Sequence, residues 1–186
     1  LDTHTIVWDC DGDGFDDGSG ISTTCGFPEG PASVTVSAQA TDDDGAIGVG
    51  SLVVTVLNLP PSANAGGPYS VDEGSSIGLM GSATDAGLLD ILTFEWDLDN
   101  NGSFETSGAS PTFDAASLDG PTSMPVTLRV TDDDGAFDTS TVTVTVSNVA
   151  PIADAGGPYS VGEGSSITLN GTATDPAASD VLTYQW

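Results

Sequence analysis

Across residues 75–149, apolar side chains recur at every second position in four runs: SSIGLMGSAT, ILTFEWDL, MPVTLRVT and STVTVTVSNV. A period of two marks strands with one covered face. The Val, Ile, Thr and aromatic content of these runs suits a pleated, half-buried surface. No segment carries a 3.6-residue apolar stripe through three turns, so almost no helix is predicted. Clusters of Gly, Pro, Asp and Asn (AGGPYS, NNGS, LDGPTS, DDDG) divide the runs and supply turn chemistry.

The pattern repeats. SANAGGPYSVDEGSSIGLMGSATD at 62–85 returns as IADAGGPYSVGEGSSITLNGTATD at 152–175, and ATDDDGA at 40–46 returns as VTDDDGA at 130–136, both displaced by 90 residues. Trp8, Trp96 and Trp186 keep nearly the same interval. A period this long exceeds a solenoid turn, and about seven short strands within it make a β-sandwich. The expected organisation is the later part of one repeat at 1–58, a whole repeat at 59–148 and the first part of another, about three strands, at 149–186. Trp96, in mid-strand, is expected to pack between the sheets, and the other two Trp also look buried. The phase of the chain suggests a window onto a longer array, or a subunit whose tail completes the head of the next copy. Duplication of the Trp strand at both ends argues against the simplest strand exchange.

Charge changes the picture next. The 186 residues include 28 acids, 23 of them Asp, against one Lys or Arg, for a formal net charge of −27. Such a chain has no basic face for nucleic acid or an anionic membrane. Its self-repulsion calls for cations; bound metal and adaptation to high salt are the two readings. With 38% hydrophobic residues, 24 Gly and 11 Pro, the composition fits a folded, turn-rich β protein rather than disorder. No apolar run reaches the ~18–20 residues of a membrane helix, and any targeting segment is expected outside this sequence. Cys10 and Cys25 are either a disulfide, implying an oxidising compartment, or two buried thiols.

WDCDGDGFDD, from Trp8 to Asp17, returns as WDLDNNGSFE, from Trp96 to Glu105. Calcium takes six to eight oxygen ligands, and alternate acids in a tight glycine-containing loop aim at one centre. Asp9, Asp11, Asp13, the Phe15 carbonyl and Asp17 match the first positions of an EF-hand loop; Asp97, Asp99, Asn101, Ser103 and Glu105 match them in the second copy. Gly20 and Gly108 stand where the closing Glu belongs, and no flanking helices are predicted. Weak calcium binding, or a solvated turn, is the expectation.

The ordered motifs N-x-x-P (Asn58–Pro61, Asn148–Pro151), A-x-AGGPY, EGSS, W-D-x-D-x-x-G and V-TDDDG-A together resemble the polycystic-kidney-disease (PKD) domain. This is an immunoglobulin-like module found in tandem on cell surfaces and in secreted bacterial proteins. The resemblance implies an all-β chain of tandem immunoglobulin-like sandwiches. It also implies a calcium site at one end of each sandwich, with Asn58, Asp85 and Asp132 as ligands and Asp90 or Asp134 as further candidates. Partial equivalents are Asp42 and Asp44, and Asn148, Asp175 and Asp180. The family's usual Trp motif lacks the extra Asp or Asn seen here.

Catalytic chemistry is scarce. His4 is the only His, and Gly74–Gly78 matches G-x-S-x-G without an accompanying base. Asn101 and Asn170 open N-glycosylation triplets, and at Asn101 that reading competes with metal. The function expected is therefore non-enzymatic: a secreted or surface-exposed, calcium-stiffened fibre, stalk or adhesin shaft whose partners are neighbouring copies of the repeat. The alternative is an accessory module of a secreted hydrolase that grips polysaccharide, glycans or protein.

Overall fold

The computed structural model describes residues 4–177 and 179–186, and none of them is helical. The chain divides into two compact units: Leu1–Ser62 with Ala83–Thr93 and Thr131–Asp138, and Ala63–Ser82 with Phe94–Val130 and Thr139–Trp186. Two loops of the middle repeat, 83–93 and 131–138, thus belong with the first unit.

In the first unit β1 (His4–Asp9), β2 (Gly18–Ser19), β3 (Ala32–Asp42) and β4 (Ile47–Val56) make one antiparallel sheet in the order β2-β1-β3-β4. The TDDDGA segment turns β3 into β4, Asp42 N–H donating to the Ala46 carbonyl at 3.1 Å. Val36 on β3 is buried, whereas Ile47, Val49 and Val53 on β4 are exposed. The middle repeat encloses its corresponding strand far more fully, and the covering strands have no counterpart in residues 1–58.

The chain continues through β5 (Ser62–Asn64), β6 (Tyr69–Asp72), β7 (Ser76–Gly78), β8 (Ser82–Thr84), β9 (Thr93–Asp97), β10 (Thr106–Ser107), β11 (Thr112–Asp114), β12 (Thr122–Thr131) and β13 (Phe137–Ser147). One sheet runs β10-β9-β12-β13-β6, with β6 parallel to β13; β7 and β11 pair in a second layer. The alternation in MPVTLRVT puts Val126, Leu128 and Val130 inward, where they join Val144, Val146, Leu79 and Phe113. Trp96 is 0% exposed at the centre, its Nε1–H donating to the Gly108 carbonyl at 3.0 Å. A methyl added at Gly81 would lie 2.8 Å from the Trp96 ring and 2.9 Å from Leu128, so only glycine allows this approach. This is an all-β, immunoglobulin-like sandwich.

Two sequence expectations need correction. SSIGLMGSAT is not one strand: it breaks between β7 and β8, where Leu79 and Gly81 donate to the carbonyls of Pro111 and Ala109 at 2.8 Å each. Among the described residues, 149–186 form β14 (Ile152–Asp154) and β15 (Thr172–Thr174) alone, paired with each other. The segments matching β6, β7 and β9 stay irregular because their partners in the middle repeat, β13, β11 and β12, have no counterpart there. For the same reason Trp186 is 74% exposed, although it sits over Gly171 as Trp96 sits over Gly81.

The AGGPY motif is structural. Tyr69 Oη donates to the Ala65 carbonyl at 2.9 Å and accepts from Met80 N–H at 2.8 Å. Gly66, at φ 71°, leaves room for that hydroxyl. Tyr159 likewise accepts from Asn170 N–H at 2.9 Å, and Asn170 itself is exposed.

Candidate metal centres

Acids gather in two kinds of place. The first is the loop after each Trp. One oxygen from each of Asp9, Asp11, Asp13 and Asp17 lies within 4.8 Å of the others, and Asp97, Asp99 and Glu105 are similarly grouped. Backbone N–H groups already engage most of these acids. Asp9 Oδ1 accepts from Gly12 and Asp17 Oδ2 from Cys10, each at 2.6 Å. Asp97 Oδ1 accepts from Asn101 at 3.1 Å and its Oδ2 from Gly102 at 2.9 Å. Asn101 Nδ2 donates to Asp99 at 3.0 Å, and its Oδ1 accepts from Ser103 N–H at 2.7 Å. Crowding shows at Asp13, whose carboxyl is pushed above its ordinary value by its contact with Asp11 and then by the charges of Asp16 and Asp17. Phe15 is placed in the turn between Gly14 and Asp16, whose N–H donates to the Gly14 carbonyl at 3.1 Å. Cys10 and Cys25 form a disulfide that anchors the first loop.

The second place is where one repeat passes to the next. Asp85, Asp90 and Asp132 bring one oxygen each within 4.8 Å, and so do Glu29, Asp90 and Asp134; Asp90 belongs to both groups. The turn after β12 fixes Asp132: Ala136 N–H donates to its Oδ1 at 2.8 Å, and Asn58 Nδ2 donates to its Oδ2 at 2.9 Å. Burial works against the Asp132 charge, but the Asn58 amide and the N–H groups of Ala136, Gly135 and Asp134 outweigh it, and its carboxyl lies below the ordinary value. Asp85 Oδ1 accepts from Gly87 at 3.0 Å, Asp133 Oδ1 from Ile91 at 2.9 Å, and Glu29 Oε2 from Leu89 at 2.9 Å.

The Oδ2 atoms of Asp85 and Asp90 are buried and no protein donor reaches them. Burial, then the charge of Glu29 and contact with Asp85, push the Asp90 carboxyl up to about 7. Asp134 is raised as well, by burial and by Asp133, Asp132 and Glu29. A buried carboxylate oxygen without a donor needs a proton or a cation. The chain's one basic side chain, Arg129, is committed elsewhere, 2.6 Å from Glu95 and 4.3 Å from the Phe104 ring centre. The donor set of carboxylates and one amide suits a hard divalent cation such as calcium. Asn58, Asp85, Asp90 and Asp132 would hold it, and it would supply the positive charge the protein lacks.

The arrangement recurs later. Asp175 and Asp180 group with Glu73, and Asp175 Oδ2 is again buried without a donor. Asp180 is pushed up to about 6 by burial, then by Asp119, Asp175 and Glu73. In the first repeat Asp42 repeats only the turn, its Oδ1 accepting from Ala46 at 2.7 Å and from Asp44 at 3.2 Å. Sequence reasoning overlooked Glu29, Glu73 and Asp119. Their one signal is that Glu29-Gly-Pro and Asp119-Gly-Pro stand 90 residues apart.

The family model for the PKD domain matches residues 58–146. Chitinase A of Pseudoalteromonas piscicida is 32% identical over 137 residues, 70% of this chain and 16% of that protein. The human dyslexia-associated protein KIAA0319 is 30% identical over 174 residues, 89% of this chain and 15% of that protein. The chain thus spans under a sixth of each relative's length. Among solved structures, the PKD1 domain of Vibrio anguillarum Epp is 28% identical, with a TM-score of 0.37 over 48% of this chain and 96% of that one.

Proposed function

Residues 58–146 are a PKD domain, and from that premise we propose that the chain is a stretch of an extracellular, non-catalytic tandem array braced by calcium at its junctions. Its work is mechanical: the shaft of a surface fibre, stalk or adhesin, its neighbours being further copies of the same repeat. The observation that carries this reading is the pair of buried, donorless oxygens on Asp85 and Asp90 beside the interrepeat residue Asn58. A metal there ties the linker to two loops of the following repeat. The Cys10–Cys25 disulfide suits an oxidising compartment. The Trp loops, most of whose acids already accept backbone N–H groups and, Asp97 apart, are not buried, are weaker calcium sites.

Thermal unfolding of the 186-residue chain with calcium and with a chelator, at fixed ionic strength, tests the reading. A site present only in the folded state adds about 2.7 kcal/mol at a hundredfold excess over Kd. No rise in Tm beyond that given by sodium would defeat it and leave the charge as an adaptation to salt. The match to Chitinase A favours a second reading, an accessory module on a secreted hydrolase. Retention of the chain on insoluble chitin would select that reading over the shaft.

A further inference from the structure

We propose that the cation at the first junction is also bound by the preceding repeat, with Glu29 as the ligand residue. This rests on the calcium reading above and adds a residue that the family resemblance did not supply. Glu29 lies in the turn before β3, on the first-repeat side of the linker, yet its carboxylate reaches Asp90 and Asp134, which belong to the next repeat. Its Oε2 already accepts from Leu89 N–H, which fixes the side chain against the 85–90 loop. Phe27, Glu29, Leu57, Asn58 and Gly87 line one cleft, so the acid and the linker amide share a wall. Gly87 is needed there: a methyl group would collide with Asp90 Oδ2 and lie 2.9 Å from Glu29 Oε1.

The grouping calls for a cation, or for protons in its place. Glu29, Asp85, Asp90 and Asp134 crowd together with Arg129 already committed to Glu95, so nothing basic in the chain offsets them. Glu29 also raises the oxygen count toward the six to eight that calcium takes. The second junction carries a like group: Glu73, Asp175 and Asp180 bring one oxygen each within 4.8 Å, and Asp175 again keeps a buried oxygen without a donor. Glu73, 1% exposed, accepts from Gly120 N–H at 2.7 Å and from Val149 N–H at 2.6 Å. It pins the residue after Asp119 and the residue after Asn148 to one buried carboxylate, so the acid-bearing turn and the linker are set together. A cation held from both sides of the linker restrains the angle between repeats; one held by a single repeat would stiffen only that repeat.

Calcium titration calorimetry on the 186-residue chain, paired with melting curves in calcium and in chelator, tests the proposal with Glu29→Gln and Asp132→Asn. Glutamine keeps an acceptor for Leu89 N–H. Expected for Glu29→Gln is a fall in affinity of about tenfold or more at one site, as ligand charge is lost, with Tm in chelator unchanged or higher. Glu163→Gln, at an exposed acid outside both clusters, is expected to bind as the unsubstituted chain does. Unchanged affinity in Glu29→Gln, with affinity lost in Asp132→Asn, would overturn the shared ligand and leave the calcium reading standing. Equal losses of Tm in calcium and in chelator would also overturn it, making Glu29 a latch for Leu89. An unsubstituted chain that binds no calcium would overturn both. Should Asp132→Asn not fold, Asp85→Asn takes its place.

Discussion

In the loop 9–17, Asp9 accepts from Gly12 N–H, Asp17 from Cys10 N–H and Asp13 N–H donates to Asp11. At the junction, Asp85 and Asp90 each hold an oxygen away from water with no donor. The loop is the denser in charge, yet its backbone and the solvent satisfy it. The junction is assembled from separate stretches of chain, and it leaves Asp85 Oδ2 and Asp90 Oδ2 without either remedy. On the proposed reading, density of acids does not mark the stronger calcium site; withdrawal of carboxylate oxygens from both solvent and donors does, because there a cation or a proton is required.

The largest expected effect separates the two regions by covalent means. Replacing Cys10 and Cys25 together by Ser releases a disulfide closing a 15-residue separation, a loss of about 3 kcal/mol by loop-entropy reasoning. The loss should appear in denaturant unfolding of the first unit, while calcium affinity at the junctions stays as in the unsubstituted chain. A parallel fall in junction affinity would show that the loop and the junction are one system, and the contrast would break.

How far each region was legible follows from where its partners lie. Alternation along MPVTLRVT and STVTVTVSNV showed the strands, and the position of Trp96 showed the core, because those signals are local. The Trp loops were legible for the same reason, with acids two residues apart. The Asp85–Asp90–Asp132 group came from the family resemblance combined with strand order. Glu29 was not seen: it is one acid in a Pro-Glu-Gly-Pro turn, and its partner Leu89 N–H lies 60 residues away. Strand formation in 149–186 was over-read because alternation reports which face is apolar, not whether a partner strand is present. Tyr159 still makes its hydroxyl contacts there, while β6 and β7 have no equivalents.

A smaller effect sharpens the contrast through pH. Asp90, held up at about 7, and Asp180, at about 6, bind protons in the folded chain where the unfolded chain, near the ordinary 3.8, does not. By linkage, stability in chelator rises as pH falls from 8 through these values, and the gain is fully present near pH 4. Asp132, held below its ordinary value, acts in the opposite sense, and its contribution is lost only at lower pH still. Saturating calcium should abolish the gain between pH 8 and 5, since metal and proton compete for the same oxygens. Asp13 is also raised, but through contact with exposed Asp11, so its share should fade in high salt while the buried junction's persists. Melting curves in chelator at low and high salt, with Asp90→Asn and Asp180→Asn combined as the flattened reference, check each part.

The smallest effect bears on whether the Trp loops matter to stability at all. Asp99 is exposed, accepting from Asn101 N–H at 3.2 Å and from Asn101 Nδ2 at 3.0 Å. Asparagine at 99 retains a carbonyl oxygen for either donor, so Asp99→Asn should change stability by no more than about 0.5 kcal/mol. The change should be the same in chelator and in calcium just sufficient to saturate the junctions. A calcium-dependent loss several times larger would mean that the loop after Trp96 holds metal as tightly as the junction does. Backbone-satisfied carboxylates would then have to be counted as ligands in waiting, and burial would cease to distinguish the two regions.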